Sequence, residues 1–430
     1  MNVGILGGGL TGLSVASSLK HESEVLERES ECGGLCRTIV DRDFTFDSGG
    51  GHIIFSKDAQ VLDYMLSLLG KNVLQQHRNT KIYYKGRYVK YPFENGLSDL
   101  SKEENFECLY EFIKVLTGRK KRPKNFRDWM LSTFGAGIAN KYLIPYNEKI
   151  WNYPPEKMSC DWVEGRVPRP PVEDIIKSSL GIETEGYTHQ LNFYYPEHGG
   201  IQSFIRLIER NANVTRKFNV TSVRRKGRKW VVSNGKEEKV YDKLVSTIPV
   251  QDLVAAMEGV PKKVKDAVKR LRYNSVAITL LGYDVDNLSD KHWVYFPDPK
   301  LLFHRIIYLK NYSERTCPPG KSSILAEVTY NEGDKFSKMS DAQVQDYIAS
   351  RLNEAGIADK KKLSYARTVR SKYAYVVYDL NYNRNIKTVL SYLQKQGIVS
   401  CGRFAEFKYY NMDACIRRAW EVAGQLNKTT

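Results

Sequence analysis

The chain opens on a short apolar run, VGILGG, which turns through glycines into LSVASSL, a segment of helical character. SEVLE follows as a second strand and ends at Glu27. From about Ser98 to Lys177 the apolar spacing is helical, as in NFRDWMLSTFGAGIANKYL. The period then shortens. NVTSVRRKGRKWVVSNGKEEKVYDKLVSTIP alternates around Lys226-Gly227 and Asn234-Gly235, which predicts a β-meander and then a buried strand ending at Thr247. Between Asn274 and Ala374, SVAITLLGYDV, HWVYFP, HRIIYLK and SSILAEVTY predict an antiparallel sheet. SKYAYVVYD continues that pattern and leaves Tyr373, Tyr375 and Tyr378 as alternatives for one site-facing position. The last segment, GIVSCGRFAEFKYYNMDACIRRA, predicts a strand, a Gly-Arg turn and a helix. VKYPFENG, Val89 to Gly96, breaks every period: Pro92 holds Tyr91 extended, so two aromatic rings sit on a stiff corner beside Glu94.

A length of 430 residues requires two or three domains, and 42% hydrophobic residues suffice for their cores. No apolar run reaches the roughly 18 residues that span a bilayer, and the N-terminal glycines stand at motif spacing, unlike a secretory leader. The expectation is no integral membrane segment. Seven scattered cysteines without a C-x-x-C pair fit a reduced, cytoplasmic setting and provide no metal site. The net charge of +17 is spread over short basic clusters, with no nucleic-acid-binding module, so an anionic small ligand is the better use for some of it.

The sharpest chemistry is at the start. Gly7, Gly9 and Gly12 form G-x-G-x-x-G between the first strand and the first helix, where the backbone of Leu10 and Thr11 meets a pyrophosphate at the helix N-terminus. Glu27, twenty residues after Gly7, is placed to accept from ribose hydroxyls, with Arg28 beside it. RESECGGLCRT then adds Gly34 and Leu35 where an NAD domain would start another strand. That second glycine pair resembles the signature of the FAD-binding amine oxidase and protoporphyrinogen oxidase superfamily. In that superfamily, segments equivalent to the meander, with Val220, and to the C-terminal strand and turn, with Gly402 and Arg403, return to complete the FAD site. The resemblance implies an α/β fold with a discontinuous Rossmann-like FAD domain (residues 1–90, 197–265 and 396–430), a helical substrate-binding insertion (91–190) and an antiparallel β-sheet domain (266–395).

A narrower likeness extends from Asn2 to about Ala423. GGHIIFSKD, YVKYPFENG, LIPYNEKIW, VEGRVPRP, YYPEHGG, HWVYFP, LFHRIIY with NYS, and CGRFAEFKYYN occur in an order that resembles the flavoenzyme UDP-galactopyranose mutase, above all its eukaryotic-type branch. That resemblance implies exchange of pyranose and furanose rings in a nucleoside-diphosphate sugar, with N5 of reduced FAD as nucleophile at the anomeric carbon. NADPH or NADH would be the reductant, docking over the flavin, since no second complete dinucleotide motif is present. A homo-oligomer is compatible with the family.

By the same resemblance Arg166 and Arg305 clamp the diphosphate as guanidinium forks. Tyr295, Tyr312, Tyr375 and Tyr409 bind phosphate or border the sugar, and Asn147, Trp151, Trp293 and Asn411 line the pocket. Gly51 and His52 pass the flavin edge, where the His52 backbone matters more than its ring. Tyr91 and Phe93 shape the nucleobase wall and Glu94 reads its edge.

The chain departs from the family at three places. FDSGGGHIIF has an extra glycine before His52; Gln190 stands where the family tends to have Asn, with Asn192 two residues on; and Glu94 replaces an amide that reads uracil. An ionised carboxylate only accepts hydrogen bonds, which suits the paired donors of guanine and points to a GDP-sugar over a UDP-sugar. Two other function classes compete: a flavin oxidase of amines or porphyrinogens, which has no need of the two arginines, and a non-enzymatic basic binding protein, which would purify without flavin.

Overall fold

The structure is a computed structural model and describes residues 1–119, 122–163, 171–184 and 191–428. Its nucleotide half is a five-stranded parallel sheet, in the order Ile398–Ser400, Lys243–Ser246, Val3–Leu6, Ser23–Leu26, Val214–Thr215. VGIL is central and wholly buried, as its unbroken apolar run requires in a parallel sheet covered on both faces. Both termini and the middle of the chain thus contribute strands or a covering helix to one sheet. Helix Leu10–Ser18 packs on helix Met412–Leu426. The approach of the first helix to its strand depends on Gly12, where a Cβ would lie 2.0 Å from the Gly7 carbonyl oxygen. The meander forms as expected from Ser222–Lys226, Lys229–Ser233 and Glu238–Tyr241, turning at Gly227 and Gly235.

The helical region contains Lys102–Thr117, Phe126–Ile138, Ile144–Trp151 and Val172–Ser179. Ser101 and Asn125 cap the first two by accepting from Glu104 and Asp128 backbone N–H groups. The long helical pattern near Phe126 is not one helix. Gly135 breaks it at φ 75°, because the neighbouring helix backbone at Glu111 comes within 2.6 Å of where its Cβ would be. Phe126, Met130, Phe134 and Ile138 fill a core that also takes Phe93.

The third layer is a seven-stranded sheet, ordered Leu363–Val377, Arg272–Tyr283, Ser322–Tyr330, Arg305–Ile307, Trp293–Tyr295, Thr80–Tyr84, Arg87–Lys90. It differs from the expectation in two ways. Thr80–Tyr84 and Arg87–Lys90, expected in the nucleotide half before residue 90, complete this sheet instead. The join between Trp293–Tyr295 and Thr80–Tyr84 is parallel, so the sheet is mixed. Strand pairing across a crossover leaves no trace in local alternation.

Candidate functional site

The dinucleotide cradle lies where the first strand meets its helix. Gly9 precedes that helix without a side-chain cap, and a Cβ there would meet only the Cα of Gly34, 4.0 Å away. That open space above uncapped N–H groups fits a pyrophosphate. Glu27 is buried; its two oxygens accept from the N–H of Gly8 (2.7 Å) and of Glu29 (2.9 Å), holding the turn while keeping lone pairs for ribose. Gly402, at φ 96°, presses the C-terminal segment against Thr11, and Glu406 accepts its N–H at 2.9 Å. The residues present fit FAD. Val220 is half-buried against the core under the meander, and Leu35 offers its carbonyl 2.2 Å from a Cβ at Gly49. Arg28 is exposed and pairs with Glu29 at 3.2 Å.

The centre of the site is a single row of the large sheet. Tyr295 stands opposite Arg305, and Arg305 opposite Glu327, so three neighbouring strands put these side chains on one face. Arg305 donates to Glu327 through Nε (2.8 Å) and Nη2 (2.7 Å). Burial opposes both charges, but each partner more than offsets it: the Glu327 carboxyl is held below the usual range and the Arg305 guanidinium above. The fork expected on phosphate is therefore already spent on Glu327, and Nη1 alone has no partner among the described residues. Glu327 Oε1 also accepts the Gly51 N–H at 3.2 Å, and His304 Nε2 lies 3.4 Å from Oε2.

The loop Gly49–His52 runs directly over that row. A Cβ on Gly50 would sit 2.6 Å from Glu327 Oε1, and one on Gly51 2.5 Å from Ile307, so the extra glycine belongs to a run with no room for side chains. Asp47 anchors the loop's start, accepting from Thr38 Oγ1 (2.7 Å), Tyr195 OH (2.9 Å) and the Ile201 N–H (3.1 Å). Burial lowers the His52 pKa to about 4. The ring is neutral at pH 7, and Nδ1 donates to the Gly50 carbonyl at 2.9 Å.

Aromatic rings enclose the row. Tyr91 lies 5.1 Å from Tyr295, Tyr295 5.2 Å from Tyr146, and Tyr146 5.4 Å from Tyr142. On the other side Tyr375 stacks on Tyr409 at 5.7 Å, and the Arg403 guanidinium lies 4.5 Å over Tyr409 while donating to the carbonyls of Ala374 and Tyr410. The three alternatives in SKYAYVVYD separate here. Tyr373 donates to Asp252, Tyr378 stacks on Trp162, and Tyr375 goes to Arg403 and Trp151, because a bulge opposite Asn274 shifts the register.

Other expected residues have structural neighbours. Phe93 was expected at a nucleobase wall, but it is wholly buried and stacks on Tyr142 at 5.2 Å, inside the helical core. Trp151 and Asn147 bond to each other (2.9 Å), one turn apart on the same helix, and the Asn147 amide also donates to Leu143 O. Trp293 and Tyr312 are buried around Phe193, with Trp293 Nε1 lacking a partner among the described residues. Asn192 is exposed and meets His77, and Asn411 is exposed just before the last helix. Arg166 and Gln190 lie outside the described residues.

Several residues were not anticipated. Glu327 had a signal, one acid in the otherwise apolar ILAEVTY, where a buried charge requires a partner. Lys149 spans from its helix to three carbonyls, Phe296 (2.7 Å), Asp298 (2.9 Å) and Phe303 (2.7 Å), and burial lowers its pKa to about 7. Arg78 sits 5.3 Å over the Tyr91 ring. Nothing in local sequence marks either.

A family model described as flavin-containing amine oxidoreductase matches residues 10–427. Among solved structures, a reduced UDP-galactopyranose mutase superposes with a TM-score of 0.91 at 26% identity, spanning 99% of this chain and 93% of that one. A protein assigned as a protoporphyrinogen oxidase from Exiguobacterium sp. 255-15 gives 0.79 at 16% identity, over 100% and 99%. A putrescine oxidase bound to putrescine gives 0.67 at 12%, over 99% of each chain, a likeness of fold alone.

Proposed function

The chain belongs to the flavin-containing amine oxidoreductase family and has FAD as its cofactor, and we propose that within it this protein is a mutase that interconverts pyranose and furanose forms of a nucleoside-diphosphate sugar. The observation that supports this most is the partly buried, permanently charged Arg305, locked by the wholly buried Glu327 beneath the glycine loop. Bound and reduced, FAD would supply the nucleophile for the anomeric carbon. The chain's own residues hold what leaves. Arg305 keeps Nη1 for a diphosphate oxygen, in a low-dielectric setting where that charge acts strongly and needs no reorganisation. Glu327 fixes its plane by two hydrogen bonds, so the guanidinium is preorganised before substrate enters. Tyr295 and Tyr375 flank it and offer hydroxyl donors, while Trp151 and Tyr409 close the far side against water. Neutral His52 spends its one N–H on Gly50 and shapes the loop; it donates no proton to substrate.

What the Arg305–Glu327 pair turns outward is the Nη1 donor, which suits a phosphate oxygen and offers a cationic amine no acceptor, and this argues against an amine oxidase. The test is incubation of dithionite-reduced enzyme with UDP- and GDP-hexoses, followed by chromatography and NMR for a furanose product. Conversion without net oxidation is expected. Amine-dependent peroxide release with no furanose from any nucleotide sugar would overturn the proposal.

A further inference from the structure

Glu94 is in the short turn Phe93–Asn95, where the stiff corner after strand Arg87–Lys90 enters the helical region. Only 6% of the residue is exposed, yet apart from its own backbone N–H no donor among the described residues reaches its carboxyl. Asn95 repeats the imbalance: its amide donates to Thr184 at 2.7 Å, while its buried Oδ1 lacks a donor among the described residues. Buried polar groups are nearly always satisfied, so a buried acceptor pair without donors is a site waiting for them. Among the described residues the surroundings of Glu94 are mainly rings; the Lys90 amine is spent on the Thr184 carbonyl at 2.7 Å. Tyr142 stacks on the neighbouring Phe93, Tyr91 and Tyr295 lie 5.1 Å apart, and the Arg78 guanidinium lies over Tyr91 at 5.3 Å. On the other side, helix Val172–Ser179 supplies Ser178, whose hydroxyl accepts from the Leu97 N–H, while its acids and Lys177 are at the surface.

A flat ligand with two parallel N–H donors answers both features. We propose, resting on the nucleoside-diphosphate-sugar reading above, that Glu94 selects guanine by accepting its N1–H and exocyclic N2–H together, so that the sugar nucleotide taken is GDP-linked. Uracil turns one N–H and two carbonyls to the same carboxylate, and those carbonyls repel it. Adenine and cytosine each pair one donor with a ring acceptor. Hypoxanthine lacks only the N2 amine, which makes IDP the sharpest control. Burial pushes the Glu94 pKa up to about 7, so the two protonation states discriminate in opposite directions. The ionised form takes guanine. The neutral acid, with one donor and one acceptor, takes uracil as an amide would.

The experiment is calorimetric titration of FAD-loaded enzyme with GDP, IDP and UDP from pH 6 to pH 8, in wild type and Glu94→Gln. At pH 8 GDP should bind at least roughly tenfold more tightly than IDP or UDP, in line with one bidentate base contact. Its affinity should fall as pH drops below about 7, since binding then has to expel a proton, while UDP gains over the same range. Glu94→Gln should remove the GDP pH dependence and reduce the GDP:UDP ratio by about tenfold or more. Tighter UDP than GDP in wild type, or an unchanged ratio in the variant, overturns the guanine assignment alone. Binding of no nucleotide at all overturns the nucleotide-sugar reading beneath it. Neither result needs turnover, and the wild-type ranking stands even where the variant folds poorly.

Discussion

At the scale of the residue, the decisive object is the Arg305–Glu327 pair. Glu327 is 1% exposed and Arg305 21%, so the carboxylate depends on its partner to stay charged inside the sheet. Glu327→Leu should cost about 1–3 kcal/mol by leaving a partly buried guanidinium without its acceptor. Adding Arg305→Met should recover most of that stability and none of the activity; thermal unfolding of the two variants, alongside the furanose assay, separates those effects. The pH dependence has a definite sign. The folded pKa of Glu327 is depressed, so the pair's contribution is complete above the ordinary carboxylate value of about 4.3 and is lost as pH falls from there toward the folded value. Acid unfolding of wild type should begin in that range, and the double variant should lack this component. The sequence placed Arg305 through its motif block. Its partner, 22 residues away in a different strand, follows only from the antiparallel register.

Elements position these residues through few connections. Helix Ile144–Trp151 is held to the large sheet by Asn274, whose amide donates to Ile150 O (2.8 Å) and accepts the Tyr375 N–H (3.2 Å). One side chain thus ties the helix bearing Trp151 to the bulge that aims Tyr375. Asn274→Ala leaves buried backbone groups unpaired, with an expected stability loss of about 1–3 kcal/mol. Turnover should fall more than nucleotide affinity, measurable as a change in kcat with little change in Kd for GDP or UDP. A sterner effect belongs to the first helix. Gly12→Ala would drive a methyl into the Gly7 carbonyl, and the helix must retreat from the cradle. The purified variant should lose bound flavin, seen as a low ratio of 450 to 280 nm absorbance. The glycine motif was legible because its steric logic is local. The break at Gly135 was not, since what forbids a Cβ there is another helix.

The whole molecule is woven from distant pieces of chain, and truncation should expose that. Strand Ile398–Ser400 closes one edge of the nucleotide sheet, and helix Met412–Leu426 covers the first helix. A chain ending at residue 396 should therefore bind no FAD, even though its glycine motif is intact, as size-exclusion chromatography with absorbance detection would reveal. What the sequence determined by itself was what local period and motif carry: an α/β chain, a dinucleotide cradle, a β-meander, helices in the insertion, and blocks that mark Arg305 and Glu94 as candidates. Tertiary structure decided which partners those groups have. It placed Thr80–Lys90 in the large sheet, gave Arg305's fork to Glu327, sent Phe93 into the core and left Glu94 beside it with no donor among the described residues but its own N–H. The reason is physical. Backbone preference and amphipathic period act over a few residues, whereas burial and charge pairing depend on strands and helices that meet only when the chain has folded.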